Sequence, residues 1–139
     1  MIPLFFLLLA AGGADADTRL LEPADAIALA DVHRERGSPG TFKMKVAAAE
    51  RTPYALYLNS SVDYRSPDDV TFHLTPSAAK TLEKRLGAKP EVALIGKTVT
   101  VSGEIRAVPI ANTVNGQARS LNRYQHTVLV REAARLAIQ

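Results

Sequence analysis

The chain has 139 residues and no cysteine, with 17 Lys and Arg against 14 Asp and Glu and a formal net charge of +3 at pH 7. This length corresponds to one domain at most, besides any targeting segment, and the lack of cysteine excludes a disulfide-stapled scaffold. The balance of charge is mildly basic, which is compatible with a polyanionic partner without requiring one.

The first residues have the pattern of a signal peptide. The apolar run Ile2–Ala11 is too short to span a bilayer as an ordinary helix. Gly12-Gly13 ends this run, and Ala14-Asp15-Ala16 has the small-x-small pattern of a signal-peptidase site. We predict a signal peptide over residues 1–16, with a buried N-terminal strand or helix as the alternative. Export without disulfides favours a bacterial periplasmic or secreted protein with no membrane span after signal removal.

Residues 17–40 are predicted to be a helical lead-in to the domain. Pro23 suits the first turn of a helix, and Gly37 followed by Pro39 ends it. The apolar stripe of this helix is weak, so we expect it to pack against the domain without forming its centre.

Apolar and polar residues then alternate with a period of two, which predicts three strands in succession. The segments are 41–46, 54–58 and 70–74. In the first of them, Phe42, Met44 and Val46 share one face, as expected for a strand that is buried on one side.

A helix is predicted directly after the third strand. Thr75 is a good N-cap, Pro76 suits the first helical position, and Gly87 lies just past the end. One face of this helix is apolar, and its members are Ala78, Ala79, Leu82 and Leu86.

The rest of the chain is predicted to contain two further strands joined by a long loop. Lys97–Val108 has the clearest alternation, and Gly103 within it suggests a bend or bulge. Pro109–Arg123 is polar and is predicted to be a loop, and Tyr124–Arg131 is the last strand. Leu136 and Ile138 are expected to continue that strand.

Four motifs in this order carry a resemblance to a known fold family. They are Leu58-Asn59-Ser60, Asp63-Tyr64-Arg65, Ala78-Ala79 and the strand from Gly96-Lys97 to Gly103. In this arrangement the chain resembles a group of small exported bacterial OB-fold domains. The resemblance implies a mainly β fold over residues 41–139, a five-stranded Greek-key OB-fold barrel with a helix between strands 3 and 4. The N-terminal helix of the lead-in, residues 17–40, precedes this domain.

The resemblance implies little about chemistry. Domains of this group are labelled as nucleic-acid-binding by fold analogy alone, and no catalytic residue carries over. OB-folds bind ligands on the face of strands 2 and 3 and on the flanking loops. On that basis the candidate ligand-binding residues are Tyr57, Tyr64, Arg65, Arg106, Arg119, Arg123 and Tyr124.

The loop 109–123 contributes most to this prediction. From Ile105 to Arg131 there is no acidic residue, whereas Arg and Asn are frequent. Arginines with interleaved tyrosines suit single-stranded nucleic acid, because cations bind phosphates and aromatic faces stack on bases. The plainer interpretation is a solvated loop whose arginines only keep the protein soluble.

Metal sites and enzyme signatures are not expected. His73 and His126 could approach one another on neighbouring strands, but a metal site needs a third ligand. Asp63, Asp68 and Asp69 share one loop without the ligand pattern of a calcium loop, so a turn cap is the expected role for Asp68 or Asp69. No nucleophile elbow, phosphate-binding Gly-rich loop or zinc-protease motif is found in the sequence.

The sequence therefore predicts an exported, non-catalytic OB-fold binding module without a cofactor. Its expected ligand is an anionic polymer, either single-stranded nucleic acid or polysaccharide, on strands 2 and 3 and the loop 109–123. The alternative is a structural or assembly component of the bacterial envelope that docks on a protein partner. A small hydrolase is the third and weakest hypothesis.

Overall fold

The computed structural model describes residues 19–139. The predicted signal peptide, residues 1–16, lies outside them. Within the described range no helix has the length and apolar character needed to cross a membrane.

The described chain is mainly β, with eight strands in one curled, barrel-like sheet. In chain order the strands are β1 (Leu20–Leu21), β2 (Ser38–Lys45), β3 (Ala48–Arg51), β4 (Leu56–Asn59), β5 (Val70–Leu74), β6 (Thr98–Val114), β7 (Gln117–Val130) and β8 (Leu136–Ile138). The helices are α1 (Pro23–Val32), α2 (Pro76–Leu86) and α3 (Pro90–Ala93), and a 3-10 turn covers Ala133–Arg135.

The strands are ordered β1-β2-β6-β7-β5-β4-β3 across the sheet, and β8 also pairs with β6. All pairs are antiparallel except β1 with β2 and β5 with β7. The predicted continuation of the last strand through Leu136 and Ile138 is confirmed. After the 3-10 turn, β8 runs in the same direction as β7 and pairs with the next part of β6, with Leu136 opposite Val101.

The core lies inside the curl of the sheet and follows the predicted alternation. Phe42, Met44 and Val46 are buried, as are the inward residues of the later strands. The inward residues of β4, β5 and β7 are Leu56, Leu58, Val70, Phe72, Leu74, Val128 and Val130. Burying these apolar side chains is the main favourable term for folding.

The helix after β5 follows its predicted boundaries. The Thr75 hydroxyl accepts a hydrogen bond from the Ala78 N–H at 3.2 Å, Pro76 begins the helix, and Gly87 ends it with a left-handed φ of 68°. Ala78, Ala79 and Leu82 are buried against the sheet. The capping residues therefore fix where α2 begins and ends.

The predicted loop 109–123 is wrong: these residues form the outer part of a β-hairpin, which we call the arm. β6 and β7 pair up to Val114 and Gln117, and Asn115 and Gly116 form the turn with φ of 53° and 78°. Two positive φ values are typical of a type I′ hairpin turn, for which Asn-Gly is the preferred sequence. The polar composition reflects exposure on both faces of the arm, where residues 111–122 are all exposed.

The end of α1 is attached to β7 by a charged cluster. His126, which is buried, lies with its Nε2 atom 2.9 Å from Asp31 Oδ1. Arg34 Nε lies 3.1 Å from the same oxygen, and its guanidinium lies 4.3 Å from the centre of the Tyr124 ring. Burial pushes the pKa of Asp31 upward, but the hydrogen bonds with His126 and Arg34 outweigh it and hold this pKa below 3.8.

Replacing Asp31 by Ala is expected to lower the free energy of unfolding by about 2 kcal/mol, because the buried His126 ring loses its partner. The pKa of Asp31 is lowered in the folded state, so this stabilisation is present above pH 3.8 and is lost as the pH falls through the lowered value. Urea unfolding at neutral and acidic pH measures both effects. Asp31→Asn, which keeps an acceptor oxygen, should lower the free energy of unfolding by less than Asp31→Ala does. Equal stability of Asp31→Ala and the wild type would contradict the role of this cluster.

Candidate ligand-binding groove

The outward face of β4, β5 and β7 carries a group of polar and aromatic side chains. Because side chains alternate along a strand, the residues between the buried core positions point outward. They are Tyr57, Asn59, Thr71, His73, Gln125 and Thr127. The parallel register sets Thr71 opposite Thr127, which brings the β4–β5 and β7 residues onto one surface.

A cavity of about 300 Å³ lies on this face. The outward residues form its floor, the segment 60–69 lies along one side, and the base of the arm lies along another. Its lining residues are Glu50, Tyr57, Asn59, Tyr64, Thr71, His73, Ile110, Arg123, Gln125 and Thr127.

A second cavity of about 470 Å³ adjoins the first. Both are lined by His73 and Thr127, so the two cavities are adjacent, and we call them together the groove. The remaining lining residues of the second cavity are Glu104, Arg106, Val108, Leu129 and Arg131. Each of the two cavities is therefore lined by arginine and by one glutamate.

Asp69 is buried beneath the groove, with an exposed fraction of 1%. Its Oδ1 atom accepts a hydrogen bond from the Ser61 N–H at 2.9 Å. Its Oδ2 atom lies 2.9 Å from the Thr71 hydroxyl and accepts from Gln125 Nε2 at 2.9 Å. Burial raises the pKa of Asp69 above its usual 3.8, while the hydrogen bonds from Ser61 and Gln125 oppose this rise. Asp69 thus joins the segment 60–69 to β7.

The hydrogen-bond network continues from Asp69 to the rim of the groove. Gln125 donates to Asp69, and its side-chain oxygen accepts a hydrogen bond from Arg123 Nη1. Because both ends of the Gln125 amide are engaged, its orientation is fixed and that of Arg123 with it. The Arg123 guanidinium lies 5.7 Å from the centre of the Tyr64 ring.

Tyr64 lies between two cations at the rim. Arg65 lies over its ring at 4.6 Å, on the solvent side, and Arg123 approaches from the arm. Asp63 helps to hold this turn because its carboxylate accepts from the Arg65 N–H at 2.9 Å. The result is a cationic rim around an aromatic ring, the arrangement that cation–π attraction favours.

His73 is an uncharged member of the groove at neutral pH. Burial lowers the pKa of His73 below its usual 6.5. Its ring packs edge-on against Tyr57, with ring centres 4.9 Å apart. His73 and Tyr57 therefore form an aromatic surface where the two cavities meet, with Glu50 opposite Tyr57 in the first cavity.

The structure brings together five of the seven candidate residues predicted from the sequence. Tyr57, Tyr64 and Arg123 line the first cavity, and Arg106 lines the second. Arg65 lies at the rim through its contact with Tyr64.

The other two candidates lie elsewhere. Tyr124 is on the inward face of β7, beside His126, where it packs against the core and against Arg34 of the α1 cluster. Arg119 is in the exposed outer half of the arm, at a register shift between the pairs Asn112–Ser120 and Thr113–Ala118. Neither residue lines the groove.

Several groove residues were not identified as binding candidates from the sequence. They are Glu50, Thr71, His73 and Thr127. The alternation of apolar and polar residues could have identified them, because strand positions flanked by buried Leu and Val residues must face outward.

The histidine and aspartate hypotheses can be examined directly. His73 faces the groove, whereas His126 faces the core, although β5 and β7 are neighbours. Over residues 19–139 no three His, Asp or Glu side chains are grouped so that they could hold a metal ion. The expected turn cap by Asp68 or Asp69 is wrong, because the Ser66 hydroxyl accepts from the Asp68 N–H at 3.2 Å, while Asp69 joins the two ends of the segment 60–69 through Ser61.

Comparisons with known proteins identify no family. No family model matches the chain, and no curated protein does. Among solved structures, the chain is similar to a protein assigned as an aspartyl-tRNA synthetase from Leishmania major Friedlin, with 8% sequence identity and a TM-score of 0.42. The match covers 87% of this chain and 20% of that one. At this level the similarity supports no conclusion about fold or function.

Asp69→Ala is expected to lower the free energy of unfolding by about 2 kcal/mol, because the Ser61 N–H and the Gln125 amide lose a buried acceptor. The pKa of Asp69 is raised in the folded state, so the stabilisation is complete below pH 3.8 and decreases as the pH rises through the raised value. The deficit of the variant should therefore be larger near pH 4 than at pH 7 in urea unfolding.

Asp68→Ala is the matched control, since Asp68 is an exposed neighbour in the same segment. It should change stability by less than about 0.5 kcal/mol. If the two variants were equally stable, Asp69 would not be the residue that fixes this segment.

Proposed function

We propose that the chain is an OB-fold binding module. β2 and β3 are separated only by Val46 and Ala47, yet they lie near opposite ends of the strand order. The Val46 N–H donates to the Lys97 carbonyl and the Ala47 N–H to the Asn59 carbonyl, each at 2.9 Å. One bent strand, residues 38–51, therefore pairs with β6 at one end and with β4 at the other, as in a closed barrel.

Counting residues 38–51 as one strand supports the five-stranded order of an OB-fold. The others are β4, β5, β6 and β7, and α2 lies between the third and the fourth. The parallel pairing of the third strand, β5, with the fifth strand, β7, also supports this five-stranded order. This arrangement agrees with the resemblance of the sequence to small exported bacterial OB-fold domains.

We further propose that the groove binds single-stranded nucleic acid. The observation that carries this proposal is an aromatic surface, formed by Tyr57, Tyr64 and His73, with arginines lining both cavities of the groove. Single strands offer unstacked bases to aromatic faces and phosphates to guanidinium groups. The groove lies on the second and third strands of the barrel, where OB-folds bind oligonucleotides and oligosaccharides.

The arm contributes charge to the same surface. It has no acidic residue, and its base supplies Arg123 to the first cavity. An anionic polysaccharide would contact the same arginines, but it has no planar bases to stack on the aromatic rings, so these rings would contribute less to its affinity. We also propose that the protein acts outside the cytoplasm, because residues 1–16 have the pattern of a signal peptide.

The arginines at Tyr64 should contribute to both the affinity and the salt dependence of binding. Arg65→Gln with Arg123→Gln is expected to weaken binding of a dT octamer at least tenfold near 50 mM salt, because two phosphate contacts are lost. The slope of log affinity against log salt should fall by about 0.7 for each lost contact. Fluorescence anisotropy at several salt concentrations measures both quantities.

Lys80→Gln is the control for this experiment, since it removes one positive charge from the exposed face of α2. It should leave affinity and slope nearly unchanged. The proposal fails if the octamer does not bind, or if the control weakens binding as much as the arginine variants. Tighter binding of heparin than of the octamer, through the same arginines, would assign the groove to polysaccharide.

A second candidate function is docking on a protein partner through the arm. Val114, beside the turn of the arm, and Leu121, opposite Ala111 near its base, are more than half exposed. Beyond the end of β5, the arm strands pair only with each other, which leaves their outer edges open to another strand. This candidate belongs to a structural or assembly component rather than a ligand-binding module.

Val114→Ser with Leu121→Ser separates the two functions. If the arm binds protein, wild-type oligomers or partner complexes should persist at about 0.5 M salt and disappear in the variant, because apolar contacts are not screened by salt. Sedimentation velocity measures this. A monomeric wild type that retains octamer binding would contradict the docking function.

A further inference from the structure

The groove contains polar groups that the fold leaves available to a ligand. Asp69 and Gln125 are engaged with one another and with their neighbours. By contrast, the Glu50 carboxylate makes no hydrogen bond or ion pair with another residue of the described range 19–139. The chemistry of the ligand therefore follows from the groups that remain open.

Asn59 has a defined orientation in the first cavity. It is buried in the floor, and its Oδ1 atom lies 2.7 Å from the Thr71 hydroxyl, which donates to it. Because the carbonyl end is engaged below, the NH₂ end is the part that meets a ligand in the cavity. Asn59 thus presents a hydrogen-bond donor.

Glu50 presents acceptors next to this donor. In the antiparallel pair of β3 and β4, Glu50 is opposite Tyr57, and Asn59 is two residues further along the same face. Diagonal neighbours of this kind are about 7 Å apart. Both residues line the same cavity, together with the rings of Tyr57 and Tyr64. The cavity therefore presents the Asn59 donor next to the two carboxylate oxygens of Glu50, and the rings of Tyr57 and Tyr64 lie beside them.

We propose that this cavity recognises guanine through its Watson–Crick edge. Guanine carries an acceptor and two donors in a row, O6, N1–H and N2–H. The Asn59 amide donates to O6, and the Glu50 carboxylate accepts from N1–H and N2–H, while the ring stacks on tyrosine. This inference rests on the proposed function of the groove and adds base specificity to it.

The other bases match the hydrogen-bonding groups of Asn59 and Glu50 less well. Adenine and cytosine offer one amino group to Glu50 and one ring nitrogen to Asn59, so one carboxylate oxygen has no partner. Thymine and uracil offer a single N–H flanked by carbonyl oxygens, one of which would face the second carboxylate oxygen. Specificity arises because mismatched polar groups lose hydration without gaining a hydrogen bond.

The test compares dT octamers that carry guanine, hypoxanthine, adenine, cytosine or thymine at one central position, by fluorescence anisotropy. GMP, measured by calorimetry, distinguishes a free nucleotide from a base within a polymer. We expect guanine to increase affinity about tenfold over thymine, with hypoxanthine between them because it lacks the N2 amino group. Glu50→Gln should remove most of this preference and leave the dT octamer bound.

Glu22→Gln is the matched control, since it removes the same charge from an exposed position outside the groove and should keep the guanine preference. Equal affinity for all the octamers would overturn this inference while leaving nucleic-acid binding intact. Binding of GMP without any octamer would support guanine recognition and contradict polymer binding. If neither GMP nor any octamer bound, both proposals would be wrong.

Discussion

The parallel pairing of β5 with β7 is the contact on which the groove depends. It joins residues that are separated by α2, α3 and all of β6, as a parallel pair requires a long crossover. Inward, it packs Phe72 beside Val128 in the core. Outward, the same register sets Thr71 beside Thr127, so burying the core also builds the groove floor. A slip by one residue would turn every side chain of either strand to the opposite face, which the apolar core opposes.

Asp69 extends this arrangement from the floor to the rim. Its carboxylate holds the segment 60–69 through Ser61 and holds β7 through Gln125, which orients Arg123. The position of the cationic rim around Tyr64 is thus a consequence of one buried side chain. Burying a carboxylate is costly, as the raised pKa of Asp69 reflects, and the hydrogen bonds from Ser61 and Gln125 offset part of that cost. In this respect the groove is pre-formed by the fold.

Local patterns in the sequence predicted the core and the helix caps because burial on one side of a strand produces a period of two. Phe42 and Thr75 are examples, and both have the predicted role. The arm was not predicted, since exposure on both faces removes the alternation; only Asn115-Gly116 indicated a hairpin. Tyr124 was assigned to the wrong face although its spacing from Val128 indicated the core. The role of Asp69 depends on Gln125, 56 residues away, which no local pattern reveals.

The central claim is that the groove, and no other surface, is the binding site. Amide chemical-shift mapping of the ¹⁵N-labelled protein during titration with a guanine-containing octamer tests it most directly. We predict that the largest shifts fall on β4, β5, the segment 60–69 and the base of the arm, while α2 remains unchanged. Shifts centred on α2 or α1, or none at saturating octamer, would contradict the account.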